Sequence, residues 1–372
     1  MTIDVEKKEI RAVTLTPIVQ QTAFWAEVKA NQGIIPCAFD FKVRNDEVFV
    51  DKKKKASTNA DFLILQQPLN DDYSIAYVPY GPELEPSEEL QGEFLEELSE
   101  TVRSFLPKNC IGVRYDLAWQ SHWDTAEYYD ENNLWVGPPE KKYQEFRLNY
   151  NTSNWNLRRA NSDILPSNTI YIDLTAGEKT ILARMKPKTR YNILLSYRRG
   201  VTVRQAGMDE LHIWYELYKE TAQRNRLFLN DIEYFKTVLN AKAEDSLSPA
   251  TVELLMAEKN GEPLAAIFLI ISGNRGTYLY GASSSKHRNC MPTYALQWEA
   301  IQRAKARGCL QYDMFGVSPG PDSSHPMYGL YKFKSGFGGE LYHQMGCWDY
   351  PFDDDSYKLF IAAEMHSQGY HL

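Results

Sequence analysis

Thr251-Val-Glu-Leu-Leu-Met-Ala-Glu-Lys-Asn-Gly-Glu-Pro-Leu-Ala-Ala-Ile-Phe-Leu-Ile-Ile271 is the stretch that decides the fold class. Asn260-Gly261 is the dipeptide of a tight hairpin turn, because both turn residues need a positive φ. Thr251 to Glu258 and Pro263 to Ile271 therefore read as antiparallel strands, and Gly276 to Gly281 as a third. Tyr294 to Arg307 follows with Leu296, Ala300, Ile301 and Ala304 on one helical face. Past Gly308 a strand closes in Gln311-Tyr312-Asp313. The order is meander, helix, strand.

The first half has the same order. Ile34 to Phe41 and Glu47 to Val50 read as strands around a turn at Arg44-Asn45-Asp46, with 62–66 and 75–78 as further strands. Pro86-Ser-Glu-Glu opens a helix on which Leu90, Phe94, Leu95, Leu98, Val102 and Phe105 recur at helical spacing. Beyond Gly112 a strand closes in Arg114-Tyr115-Asp116. One plan used twice argues for a duplicated α/β domain of mixed α+β character. The expected division is 1–165 with about 346–372 as domain 1, and 166–345 as domain 2. Trp119 to Pro166, rich in Trp, Tyr and Asn, reads as an irregular insertion.

The chain has 372 residues, 43% hydrophobic and 24% charged, the balance of an ordinary globular protein. The longest apolar run, Leu264 to Ile271, is far short of the ~20 residues a helical span needs. Charges at Asp4, Glu6, Lys7 and Lys8 occupy the place of a signal peptide's apolar core, so a cytoplasmic location is expected. Five scattered cysteines without Cys-x-x-Cys, and histidines without His-x-x-x-His, point to reduced thiols and no metal.

Charge is unevenly spread. Residues 1–165 carry 18 basic and 27 acidic residues, and 166–372 carry 23 and 22. Between Glu178 and Asp209 no acidic residue interrupts Arg184, Lys186, Lys188, Arg190, Arg198, Arg199 and Arg204. Such a run is either a solvated helix face or a patch that attracts a polyanion within about a Debye length of ~8–10 Å.

Tyr328-Gly-Leu-Tyr-Lys-Phe-Lys-Ser-Gly-Phe-Gly-Gly339 reads as a short β-type run, with Tyr331, Phe333 and Ser335 facing one way and Lys332 and Lys334 the other. The glycines at its end would let another group approach the backbone closely. Two readings compete, a strand with solvated lysines and a site that stabilises negative charge.

Seven stretches, in order, resemble the Fem family of non-ribosomal peptidyltransferases, the FemABX group. They are Gln21-Thr-Ala-Phe-Trp-Ala-Glu-Val-Lys29, Tyr77-Val-Pro-Tyr-Gly-Pro82, Ile170-Tyr-Ile-Asp-Leu174, and Ala183-Arg-Met-Lys-Pro-Lys-Thr-Arg-Tyr-Asn192 with Arg199-Gly-Val201. Tyr280-Gly-Ala-Ser-Ser284, Tyr312-Asp-Met-Phe-Gly-Val317 and Leu330-Tyr-Lys-Phe-Lys-Ser-Gly-Phe-Gly338 complete the set. The resemblance implies two GNAT-like acyltransferase domains in tandem. With no sustained heptad run, it is to the compact members that lack a coiled-coil arm. It further implies transfer of an amino acid from aminoacyl-tRNA to the stem peptide of a nucleotide- or lipid-linked peptidoglycan precursor. Peripheral membrane association would come through a lipid-linked substrate.

The resemblance assigns Lys334 and Phe333 to the transfer site, Tyr280 to the channel beside it, and Lys29, on the helix with Trp25, to the acceptor diphosphate. Asp116 and Asp313, each read as ending a strand, are candidates to hold the incoming ammonium or take its proton. The family's arginine four residues before a tyrosine falls at Asn230 ahead of Tyr234, with Arg224 and Arg226 upstream as substitutes. Tyr80 stands where relatives often have arginine. Lys186, Lys188, Arg190, Arg198 and Arg199 are expected to meet tRNA phosphates.

An aminoacyl ester is already activated, so the chemistry needs positioning and oxyanion stabilisation, with no cofactor. The rivals are a coenzyme A-dependent GNAT acyltransferase and a non-catalytic muropeptide- or RNA-binding module. Coenzyme A calls for a glycine-rich loop at a helix N-terminus, and Ser283-Ser-Ser-Lys-His-Arg-Asn-Cys-Met-Pro292 has no glycine.

Overall fold

A computed structural model describes residues 1–50, 56–225 and 229–366. The first half contains β1 (Ile3–Lys8), α1 (Ala23–Ala30), β2 (Ile35–Arg44), α2 (Asn45–Val48), β3 (Ser57–Pro68) and β4 (Ser74–Pro79). It continues with α3 (Gln91–Arg103), β5 (Cys110–Gln120), α4 (Lys141–Leu148) and β6 (Arg158–Arg159). The second half opens with β7 (Asn168–Asp173), α5 (Glu178–Arg184), α6 (Pro187–Arg198), β8 (Val201–Ala206), α7 (Leu211–Asn225) and α8 (Ile232–Asn240). Then come β9 (Thr251–Lys259), β10 (Glu262–Ser272), β11 (Arg275–Ser283), α9 (Pro292–Ala306) and β12 (Gln311–Asp313). The chain closes with α10 (Tyr328–Lys334), β13 (Glu340–Pro351) and α11 (Asp354–His366).

Among the described residues, the strands join in the order β1-β2-β3-β4-β5-β13-β7-β12-β11-β10-β9-β8, with β6 beside β13. Each half follows the expected GNAT-like plan: an antiparallel meander, a helix (α3 or α9), then a strand parallel to the last of the meander. The two halves meet on β13. Its start, Glu340 to His343, pairs with β7, and its remainder, Gln344 to Pro351, pairs with β5. A register shift between Gln344 and Gly346 marks the change of partner, and the boundary expected near 346 lies within this strand.

Among the described residues four apolar clusters form: one around Ile75, Ile111, Tyr357 and Phe360 lies under α11, and three frame the two halves. One packs Phe41, Phe62 and Phe94 between the first sheet and α3, and another packs Leu269, Leu296 and Tyr312 beneath α9. The third lies between the halves, where Phe24, Trp25 and Tyr77 meet Trp214, Phe235 and Phe268. Thr22 caps α1 by accepting from the Trp25 N–H at 3.1 Å, and Pro187 and Pro292 open α6 and α9 where a missing N–H costs nothing.

Three expectations are corrected. Glu47 to Val50 is not a strand: Asn45–Val48 form a helical turn, because Asp46 and Glu47 favour a first helical turn over a pleated edge. β5 does not end at Asp116 but runs on to Gln120, because β13 continues to pair with it. Tyr328–Lys334 is helical and not β-type, and Gly338 at φ 80° ends the following turn in the left-handed conformation.

Candidate functional site

In each half two parallel strands part at an aspartate. β4 and β5 stay paired up to Pro79 opposite Asp116, and β11 and β12 up to Thr277 opposite Asp313. Beyond these pairs Tyr80 (φ 49°) and Phe315 (φ 56°) turn the chain away. The two openings face each other through Tyr80, whose ring meets Phe315 edge-on at 6.3 Å. The Tyr80 hydroxyl donates to the Pro166 carbonyl at 2.6 Å. Burial, then the charges of Asp116 and Asp313, push that hydroxyl well above its ordinary range. Tyr80 thus puts a neutral side chain between the two carboxylates.

Asp116 is fully buried. Its Oδ2 accepts from the Tyr77 hydroxyl (3.1 Å) and the Leu165 N–H (2.7 Å). Oδ1 is buried without a hydrogen bond of good geometry, and the Cys347 thiol lies close enough to this carboxyl to favour its charged form. Burial, aided by the charge of Asp163, raises this carboxyl to about 7. Asp313 accepts at Oδ1 from the Thr169 hydroxyl (2.5 Å) and the Phe315 N–H (2.8 Å).

The helical form of 328–334 changes the reading of its lysines. A strand would put Lys332 and Lys334 on one face, whereas a helix turns them about 200° apart. Lys332 is exposed and Lys334 is buried. The Lys334 ammonium donates to the carbonyls of Phe315 (2.8 Å) and Gly316 (2.9 Å) and lies 4.9 Å from the centre of the Tyr278 ring. It fills the opening between β11 and the chain leaving β12. Burial lowers its pKa to about 7, against the opposing pull of Asp313. Phe333 packs edge-on against Tyr294 (5.0 Å) and Phe337 (5.3 Å), so its ring seats the helix. The neighbouring glycines admit the protein's own chain and not a ligand: a Cβ on Gly338 would lie 2.5 Å from the Arg184 carbonyl oxygen, and one on Gly339 2.6 Å from that of Tyr171.

A second buried lysine lies in the layer between the halves. The Lys29 ammonium sits 5.2 Å from the Trp25 ring centre and 5.6 Å from that of Tyr234, and donates to Gln32 Oε1 at 3.2 Å. Burial lowers its pKa to about 8. The Tyr234 and Tyr280 hydroxyls share a short hydrogen bond. Among the described residues, neither Lys29 nor Lys334 has a carboxylate within ion-pair distance.

One bulge relates the two lysines. On β11 the register with β10 jumps from Tyr280 opposite Phe268 to Tyr278 opposite Leu269, leaving Leu279 unmatched. The extra residue reverses the usual alternation, so Tyr280 enters the inter-half layer beside Tyr234 and Tyr278 enters the α9 side beneath Lys334.

The remaining predicted residues divide. Arg224 donates to the Ser283 carbonyl (3.0 Å) and hydroxyl (3.1 Å), which places it at the carboxyl end of β11; Arg226 lies outside the described residues. The Asn230 carbonyl accepts from the Tyr215 hydroxyl at 3.1 Å. In the basic run, Arg190 donates to the carbonyls of Leu182, Ala183 and Met185, and Arg199 to that of Asn289. Lys188 and Arg198 are exposed, flanked by exposed Tyr191 and Tyr197. Lys186 ties the run to α10, its ammonium donating to Ser335 Oγ at 3.1 Å and its N–H to the Gly336 carbonyl at 2.9 Å. Tyr77, Thr169, Tyr278, Phe315 and Cys347 are additions of the structure, although all but Cys347 lie within or beside stretches singled out in the sequence.

A family profile described as the FemAB family matches residues 14–248 and 241–365. The chain belongs to the FemAB family. A "Lipid II:glycine glycyltransferase" of Staphylococcus epidermidis is 24% identical over 253 residues, 53% of this chain and 61% of that protein. A protein of the same description from Staphylococcus aureus is 24% identical over 258 residues, with the same coverage. The chain thus spans about three fifths of the length of these relatives. The crystal structure of FemX superposes with a TM-score of 0.70 at 17% identity, covering 96% of this chain and 100% of that one, so the fold is shared.

Proposed function

We propose that this protein transfers an amino acid from aminoacyl-tRNA to the side-chain amine of the diamino acid in a peptidoglycan precursor stem peptide. The observation that carries the reading is the pair of buried lysines without carboxylate partners on opposite faces of β11. Each is a desolvated cation, and a buried cation is stabilised by an anion that enters to meet it. Lys29, held between the Trp25 and Tyr234 rings, takes the acceptor's diphosphate from the inter-half layer, in the first-half domain's side of the site. Lys334 faces the ester from the second-half side, and the two substrates meet next to the opening that it fills.

The step needs little more. The neutral amine attacks the ester carbonyl, the C–N bond forms, and the C–O bond to the terminal ribose breaks. Asp116 or Asp313 takes the proton that the ammonium must lose, and a proton returns to the ribose oxygen. A raised Asp116 suits that exchange near neutral pH. Lys334 stabilises the oxyanion, and Phe333 fixes the helix that carries it. Lys186, Lys188, Arg190, Arg198 and Arg199 form the tRNA-facing surface, with Lys188 and Arg198 free to meet phosphates and Tyr191 and Tyr197 to stack on bases. Coenzyme A plays no part in this reading. In the loop after β11 the Ser285 N–H is held by the Glu220 carboxylate at 2.6 Å, which puts a negative charge where a pyrophosphate would need donors.

The test is mass spectrometry of a muropeptide incubated with charged tRNA and the protein, with labelled acetyl-CoA in parallel. A mass increase of one amino-acid residue, dependent on charged tRNA, is expected. Labelling from acetyl-CoA, or binding of both substrates without transfer, would overturn the reading.

A further inference from the structure

The inserted segment after β5 carries a surface unlike the rest of its half. Tyr143 and Phe146 on α4, and Tyr150 and Trp155 just beyond it, are 56%, 56%, 77% and 53% exposed. Phe146 and Trp155 touch edge-on at 6.0 Å, and Tyr143 precedes Phe146 by three residues on α4, so these rings share one side of the segment. Cations accompany it: the Lys142 ammonium lies 4.8 Å from the Tyr143 ring centre, Arg158 donates to the Trp155 carbonyl at 2.8 Å, and Lys141 lies along the same segment. Residues 140–159 hold five basic and two acidic residues, within a half whose overall balance is strongly acidic.

The patch is rigidly mounted. Arg147 pairs with Glu88 at 2.8 Å, Asn151 donates to the Glu89 carbonyl at 3.3 Å, and the Ser153 and Asn154 N–H groups donate to Glu96 at 2.6 and 2.7 Å. These contacts fix it to the start of α3, which the chain reaches directly from the Tyr80 turn at the carboxyl end of β4. The patch therefore hangs at the same end of the first sheet as the opening at Asp116.

We infer that this patch seats the protein on an anionic lipid bilayer. Aromatic rings at headgroup depth with lysine and arginine around them are the composition of an interfacial anchor. Exposed Phe and Trp rings in edge contact offer a joint apolar surface of the kind that enters the headgroup region, with lysine and arginine beside it to meet anionic headgroups. The inference rests on the proposed reading only in supposing that the acceptor is lipid-linked, and its test needs no transfer activity.

The test is vesicle flotation with the full chain, comparing phosphatidylcholine vesicles with vesicles containing phosphatidylglycerol. Wild-type protein is expected to float with the anionic vesicles and to release as salt rises. Phe146→Ser/Trp155→Ser, and separately Lys141→Glu/Lys142→Glu, should each weaken that binding by more than about tenfold with unchanged thermal midpoints. No flotation of the wild type, or flotation of both variants at the wild-type level, overturns the inference. So does a patch variant that loses tRNA binding while keeping vesicle binding.

Discussion

At the scale of single residues, the site is built from groups that the fold makes uncomfortable. Asp116 is held neutral-leaning and Lys334 is held deprotonation-leaning, both with values near 7. A buried acid whose folded pKa is raised costs stability fully above that value, and the cost fades as pH falls from about 7 toward the ordinary value of 3.8. For Lys334 the sign is opposite: the cost is full below about 7 and fades as pH rises toward 10.5. Asp116→Asn keeps both acceptor bonds at its oxygen and puts an amide at the unpartnered Oδ1 position. It is expected to stabilise the protein by roughly 2–4 kcal/mol at about pH 8 and by almost nothing at about pH 4, read by thermal denaturation. The same variant should slow transfer by at least ~100-fold if Asp116 is the proton acceptor. A variant no more stable at pH 8 would show that the carboxyl is not held high. If transfer proceeds as proposed, with Asp116 ionised and Lys334 charged, its rate is expected to peak near pH 7.

At the scale of elements, α6 and the β11 bulge carry the organisation. Arg190 and Arg199 are committed to backbone carbonyls, so the free cations of the basic run are Lys188 and Arg198 among those predicted to meet tRNA. Lys188→Glu/Arg198→Glu should lower the slope of log affinity for tRNA against log salt by about 2, while muropeptide binding stays at the wild-type level. An unchanged slope in a filter-binding titration would remove this helix from the donor surface. The sequence showed the run's single sign but not which members were spent. That division depends on carbonyls some five to ninety residues away. The bulge was equally hidden, since Tyr278-Leu279-Tyr280 reads as plain alternation and only pairing with β10 shows the unmatched Leu279.

At the scale of the whole molecule, the halves are joined on β13, and a buried ion cluster at its far end holds α11 against the first-half sheet. The Arg114 guanidinium pairs with Asp349 (2.6 Å) and with Glu364 of α11 (2.5 Å), and the Tyr357 hydroxyl donates to Asp349 at 2.9 Å. Removing the shared cation takes the counter-charge away from two buried carboxylates. Arg114→Leu is therefore expected to lose roughly 3–5 kcal/mol in urea denaturation, and Arg114→Leu/Asp349→Leu/Glu364→Leu to regain most of it. If the triple variant is no more stable than the single one, the cluster is not the source of the loss.

What the sequence determined by itself was the local and the repeated. The Asn260-Gly261 turn, the helical spacing on α3 and α9, and the Tyr-Asp strand in each half follow from φ preferences and apolar periods that neighbouring residues enforce. They were enough for a duplicated α/β fold with an aspartate on the closing strand of each half, while Lys29 and Lys334 stood out only through the family resemblance. Tertiary structure alone decided how these meet. Tyr328–Lys334 is a helix because packing of Phe333 and Phe337 under Tyr294 outweighs its weak local alternation. Lys334 is buried because the parting of β11 and β12 leaves two carbonyls for it to satisfy. Burial and partners across the chain set the state of a charge, and neither is written in the residues on either side of it.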